Sequence, residues 1–324
     1  MIRRKKKQLV YYLMTLDFGN NKMPPIRALL AILIVVGHFS YFGVDELNFL
    51  RVLAPVCVSL FLFISGYGLM VSYQKKGETY LQAFLKKRLL KIVLPAILVS
   101  LLHLLLCGNG GISFLDRVRL IFTQGTTLLP HYWFVWAILF EYLVFWCSFK
   151  WLPGTLPHYA VLLLTIAFAV VTAQAGFDRC WWVCSLAFPT GLFFAAHEND
   201  IFSFCNKKTI NYWLAIALCS LAFAGLYLSG KPICWALCYI FIPMVAALVI
   251  ARLPLDTIKL PILRWTGAVS YEIYLIHITA MTFLRGEYIY ISSNLLFVVA
   301  VFCVTVGAAY GIHHLSQLIT SKTN

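Results

Sequence analysis

The chain of 324 residues is 61% apolar and only 12% charged, with a mean hydropathy of +0.84. A soluble domain of this size carries about twice that charged fraction, so composition excludes a soluble globular enzyme and indicates an integral membrane protein. The net charge of +14 follows membrane topology along the chain rather than marking a nucleic-acid face, and no nucleic-acid partner is expected.

The start, MIRRKKKQ, is basic, but the run after it is interrupted by Asp17, Asn20 and Asn21 without a small-residue cleavage site. No cleavable signal peptide is therefore expected, and 9–18 reads as an interfacial approach to the membrane. The apolar residues beyond it fall in blocks of about 17–22, the length of membrane helices rather than of barrel strands. Ten spans are expected, at 25–43, 52–74, 89–107, 132–149, 158–175, 181–196, 210–229, 233–251, 267–284 and 294–316. With the N-terminus inside, 20 Lys and Arg fall on the cytoplasmic side and 6 on the other, together the 26 of the chain. The positive-inside rule thus gives an N-in, C-in, all-α polytopic protein of the cell (inner or cytoplasmic) membrane, in contact with anionic lipid. The expected organisation is a basic segment 1–24, a single membrane domain 25–318 and a short tail 319–324.

Span one carries Arg27 at its entry and His38 deep inside. Their eleven-residue separation returns to within about 20° of the same helix face and sets them about 16 Å apart along the axis. The basic connection at 75–92 ends in an amphipathic piece with Arg88 and Lys91 one turn apart. Two readings stand for it: an interfacial helix with snorkelling lysines, or a polyphosphate site shared with Arg27. The external connection at 108–132 ends in the cluster His131, Tyr132 and Trp133, and span six opens with Trp181 and Trp182. These aromatics serve either as membrane anchors or as stacking surfaces for a sugar ring. Glu141 in span four lies near the bilayer centre, where an ionisable group marks either a site or a bridge between helices.

In span nine, Ser270, Tyr274 and His277 fall at i, i+4 and i+7, within about 40° on one face. His277 reaches the same depth as His38, whereas Glu272, about 200° from Ser270, belongs to a different contact. His313 and His314 are adjacent, point about 100° apart and make no one-face metal pair. No zinc-protease helix, serine elbow or phosphate loop occurs, and no metal is expected. Most of the ten cysteines sit within apolar runs, no C-x-x-C is present, and they read as packing residues, with a bond at Cys180 left open.

With these residues assembled, the chain resembles the membrane acyltransferase family 3, which includes O-acetyltransferases of bacterial surface polysaccharides. The likeness rests on five stretches in order. They are the Arg27-x10-His38 arrangement, the Phe-rich run ending in Ser65-Gly66-Tyr67, and the Arg88-x-x-Lys91 entry, with lysine where the family pattern has arginine. HYWFVWAILF opens a central span, and VSYEIYLIH holds the late Ser270-Tyr271-x-x-Tyr274-Leu275-x-His277 pattern. The resemblance implies an acyl-CoA donor, usually acetyl-CoA, entering from the cytoplasm, and a glycan or lipid-linked saccharide hydroxyl as acceptor at the outer face. It further implies donor binding by Arg27, Arg88 and Lys91, with His38 as general base or acyl carrier. His277 or Glu141 would support His38, and Ser270, Tyr274, His131 and Trp133 are candidate substrate contacts. Imidazole suits either role of His38 because its ordinary pKa is about 6.5. The rival from another class is a non-enzymatic carrier or flippase for lipid-linked sugars, which explains the spans and aromatics but not a cation cluster aligned with a mid-membrane base.

Overall fold

The computed structural model describes residues 22–108, 111, 113–125, 129, 132–255 and 260–321. The expected approach at 9–18 and the candidate contact His131 lie outside them. Helices α1 (Met23–His38), α2 (Leu53–Lys76), α3 (Glu78–Gln82), α4 (Phe84–Cys107) and α5 (Phe114–Gln124) form the first half with α6 (Trp133–Trp151) and α7 (Leu156–Gln174). The second half comprises α8 (Cys180–Val183), α9 (Ala187–Ala196), α10 (Glu198–Lys207), α11 (Thr209–Leu228), α12 (Pro232–Arg252), α13 (Pro261–Ala268), α14 (Ser270–Leu284) and α15 (Asn294–Ser321). The described residues contain no strand, only an isolated bridge between Arg285 and Tyr290. The expected all-α polytopic class is the observed one.

Among the described residues eight helical segments are long and apolar enough to cross a membrane unaided, and ten are reached when each of two bent pairs counts as one. The pairs are Cys180–Ala196 with Glu198–Lys207, bent by 72°, and Pro261–Ala268 with Ser270–Leu284, bent by 75°. The expected spans 181–196 and 267–284 therefore correspond to broken elements. Hydropathy averages over a window and does not register a change of direction at a single residue. Span one also departs from an unbroken helix. After two prolines in its first turn, where a missing N–H costs nothing, α1 keeps its geometry as far as His38. The chain then tightens into a 3-10 turn at Phe39–Phe42, closed by Gly43 at φ 77°. Arg285 holds this turn, donating to the carbonyls of Phe42 and Ile291 and, at 2.6 Å, to Asn294 Oδ1.

Two helix contacts bring backbone against backbone. A methyl on Gly66 of α2 would stand 2.1 Å from the Phe188 carbonyl oxygen, and one on Gly191 of α9 would stand 2.0 Å from that of Phe63. Likewise a methyl on Gly267 of α13 would stand 1.9 Å from the Pro24 carbonyl oxygen. Without a hydrophobic drive between helices in lipid, such close approach is what dispersion requires. The Gly267 contact presses the break between α13 and α14 onto the start of α1. Phe39, Phe63, Phe84, Phe145 and Phe188 fill the interior, while Leu105, Val171, Leu221 and Leu295 remain on outer faces, as lipid contact demands. All ten cysteines are free thiols, Cys180 included.

Candidate active site

A cavity of about 410 Å³ opens between α1, α2, α4, α6, α14 and α15. Arg27 of α1 and Arg88 and Lys91 of α4 all face it. Among the described residues none of these three cations makes an ion pair. Arg88 is steadied instead by the Tyr80 hydroxyl of α3, 3.2 Å from Nε and 2.9 Å from one terminal nitrogen. Tyr142 of α6 also lines the cavity, within hydrogen-bonding reach of Ser65 and electrostatic reach of both arginines. A group of cations gathered on one cavity wall without ion pairs of their own is an arrangement suited to a polyanion.

Ile34 of α1 and Tyr274 of α14 belong to the same wall, and each lends its main-chain carbonyl to a histidine. His38 Nδ1 lies 2.7 Å from Ile34 O, and His277 Nδ1 lies 2.6 Å from Tyr274 O. These carbonyls set Nδ1–H as the tautomer of both rings, which makes Nε2 the basic nitrogen. The rings meet: His277 Nε2 is 3.3 Å from His38 Nδ1, with centroids 5.0 Å apart. His38 therefore shares its Nδ1 proton between a carbonyl and the His277 lone pair. Both rings are buried, His277 completely. On the other side His38 stacks on Tyr41 at 5.7 Å, and Arg51 lies 4.1 Å over that tyrosine.

The remaining candidates divide. Ser270 and Tyr274 line the cavity. Trp133 packs edge-on against Phe134 at 6.0 Å and is not part of this wall, although Phe134 is. Glu141, 1% exposed, accepts from Thr165 Oγ1 of α7 at 2.8 Å, and its Oε1 has no hydrogen-bond partner among the described residues. The structure does not bring it to the histidines or the cavity. Glu272 takes a contact of its own, with His313 Nδ1 at 2.7 Å, yet it lines the same cavity as Ser270. The helical-wheel separation does not divide them because Gly267, Ala268, Ser270, Tyr271 and Glu272 all face it; the bent end of α14 projects into the space. His313 is weighed in the sequence only as a metal ligand; Ser316, Gln317 and Thr320, which also line the cavity, extend it to a polar stripe on α15 whose i, i+3, i+4, i+7 spacing was the available signal.

The fold and this site define a polytopic membrane protein in which a cationic cavity is lined by two residues, Ile34 and Tyr274, whose carbonyls hold a pair of buried histidines. Residues 26–314 match the family model described as an acyltransferase domain, and the chain belongs to that family, acyltransferase family 3. It is a membrane acyltransferase. No curated protein and no solved structure matches the chain.

Proposed function

We propose that the protein is an O-acyltransferase that moves an acetyl group from cytoplasmic acetyl-CoA to a hydroxyl of a cell-surface or lipid-linked glycan at the outer face of the cell membrane. The observation that carries this reading is the cavity itself, with three cations on its wall that make no ion pair among the described residues, and with Ile34 and Tyr274, whose carbonyls hold His38 and His277, lining it.

In this reading Arg27 and Arg88 hold the phosphates of coenzyme A by charge-assisted hydrogen bonds, and Lys91 adds a point charge rather than a planar fork. The pantetheine arm runs past Ser270 and Tyr274 and brings the thioester to His38. As the acceptor hydroxyl oxygen attacks the thioester carbonyl carbon, His38 Nε2 takes its proton. The C–S bond then breaks, the imidazolium returns the proton to the departing thiolate, and the products are an ester and free coenzyme A. His277 is a positioning residue: by accepting from His38 Nδ1–H it keeps Nε2 basic and disperses the charge that forms on the ring. Glu141 receives no part in these steps.

The test is release of free thiol from acetyl-CoA by purified protein in membranes when glycan is supplied, together with mass spectrometry of surface glycans with and without the protein. Acetyl-CoA consumption matched by an acetyl mass increment on glycan supports the reading. Thiol release from long-chain acyl-CoA alone replaces the donor, and glycan movement with no thiol release returns the carrier. Separately, Arg88→Glu is expected to weaken coenzyme A binding about 10- to 100-fold, since it removes a charge-assisted contact and adds repulsion. Calorimetry giving unchanged affinity removes Arg88 from the phosphate site.

A further inference from the structure

One wall of the donor cavity takes no part in the steps above. His313, Ser316, Gln317 and Thr320 of α15 all line it, on one helical face. Two of these, His313 and Gln317, are joined to α14 or to one another in a defined way. Glu272 Oε1 accepts from His313 Nδ1 at 2.7 Å, and Gln317 Nε2 lies 2.9 Å from His313 Nε2. With the Nδ1 proton directed at the carboxylate, Nε2 of the neutral ring accepts one proton of the Gln317 amide. The carboxamide is thereby tied to His313, and its second N–H and its Oε1 remain available to a ligand in the cavity that Gln317 lines.

A carboxamide presenting a donor and an acceptor in one plane is the group that pairs with the amino and ring nitrogens of adenine. Position agrees with chemistry. Gln317 lies four residues before the end of α15 at Ser321, about 6 Å along the axis beyond His313, whereas the reacting imidazoles lie behind Ile34 and Tyr274. Coenzyme A carries its thioester at one end and its adenine at the other, with the phosphates between. The cations that suit the phosphates and the carboxamide that suits the base line one cavity.

We propose that Gln317, positioned by the Glu272–His313 pair, reads the adenine base of the acyl donor and makes the site selective for that nucleobase. The inference rests on the coenzyme A reading above. Its test compares three probes on the full-length protein in nanodiscs: coenzyme A, its deaminated analogue bearing hypoxanthine, and 4′-phosphopantetheine, which lacks the nucleotide. Wild-type protein is expected to bind coenzyme A about tenfold more tightly than the hypoxanthine analogue, the discrimination of one bidentate pair. Gln317→Met, similar in size but without the amide, is expected to abolish that preference and to leave 4′-phosphopantetheine affinity at the wild-type value. Glu272→Gln, which removes the carboxylate holding His313, is expected to reduce the preference in the same direction. Coenzyme A affinity and base preference unchanged in Gln317→Met overturn this inference while the donor reading stands, and equal weakening toward all three probes replaces base reading with a structural role. Absence of coenzyme A binding by the wild type overturns the donor reading and this inference together.

Discussion

Purified His38→Ala is expected to lose acyl transfer by about 10²- to 10⁴-fold, the usual contribution of a positioned general base, while its affinity for coenzyme A stays near that of the wild type. The separation of the two effects follows from geometry. The cations that would bind the donor lie on the cavity wall at Arg27, Arg88 and Lys91, whereas His38 sits behind Ile34, bonded to its carbonyl at 2.7 Å. His38 is also the last residue of α1, a position where alanine keeps the helix, so the variant is expected to fold. Replacing His277 by Gln should cost less, on the order of tenfold, because Nε2 of His38 survives and only its orientation loosens. His38→Ala retaining wild-type transfer rates with unchanged folding would remove the base from the mechanism, whatever becomes of the donor site.

How much of this site could be read from the chain alone depends on which coordinate each residue needed. Arg27 and His38 share one helix, so spacing fixes their mutual position. The depth of His277 followed from topology in the same way. Depth is one coordinate of three, however. Glu141 has the same expected depth as the histidines, yet it is bonded to Thr165 on α7, and only packing decides between those outcomes. The union of His38 and His277 depends on a further event, the pressing of Gly267 against Pro24, which seats the bent end of α14 beside α1. A break in a helix leaves no mark on hydropathy, so the bends of 72° and 75° were not visible in the apolar blocks. The stripe on α15 was visible in principle, but polar residues near the end of a long apolar run resemble a membrane boundary. Facing a cavity gives them a different meaning.

The motif Ser65-Gly66-Tyr67 carries the sharpest expectation about folding. Its three residues point to three different structures: Ser65 faces the cavity, Gly66 meets the backbone of α9, and the Tyr67 hydroxyl donates to Glu198 Oε1 at 2.8 Å. The middle residue has no room for a side chain, since its methyl would lie 2.1 Å from a carbonyl oxygen held within α9. Backbone cannot rotate aside as a flexible side chain does, so α2 and α9 must separate, and the reciprocal contact at Gly191 opens with them. Gly66→Ala is therefore expected to destabilise the protein by about 1–3 kcal/mol, the common cost of overpacking, and Gly66→Val by more, to the point of losing folded protein. The same helix supplies the control. Gly68 has nothing within 4 Å of an added methyl, so Gly68→Ala gains helix propensity, about 1 kcal/mol, without a clash. Thermal unfolding in detergent should thus move in opposite directions for two glycines two residues apart. If both variants melt alike, α2 and α9 are not in backbone contact. Ser65 then loses the support that fixes it on the wall beside Tyr142, and the cavity must be redrawn from that side.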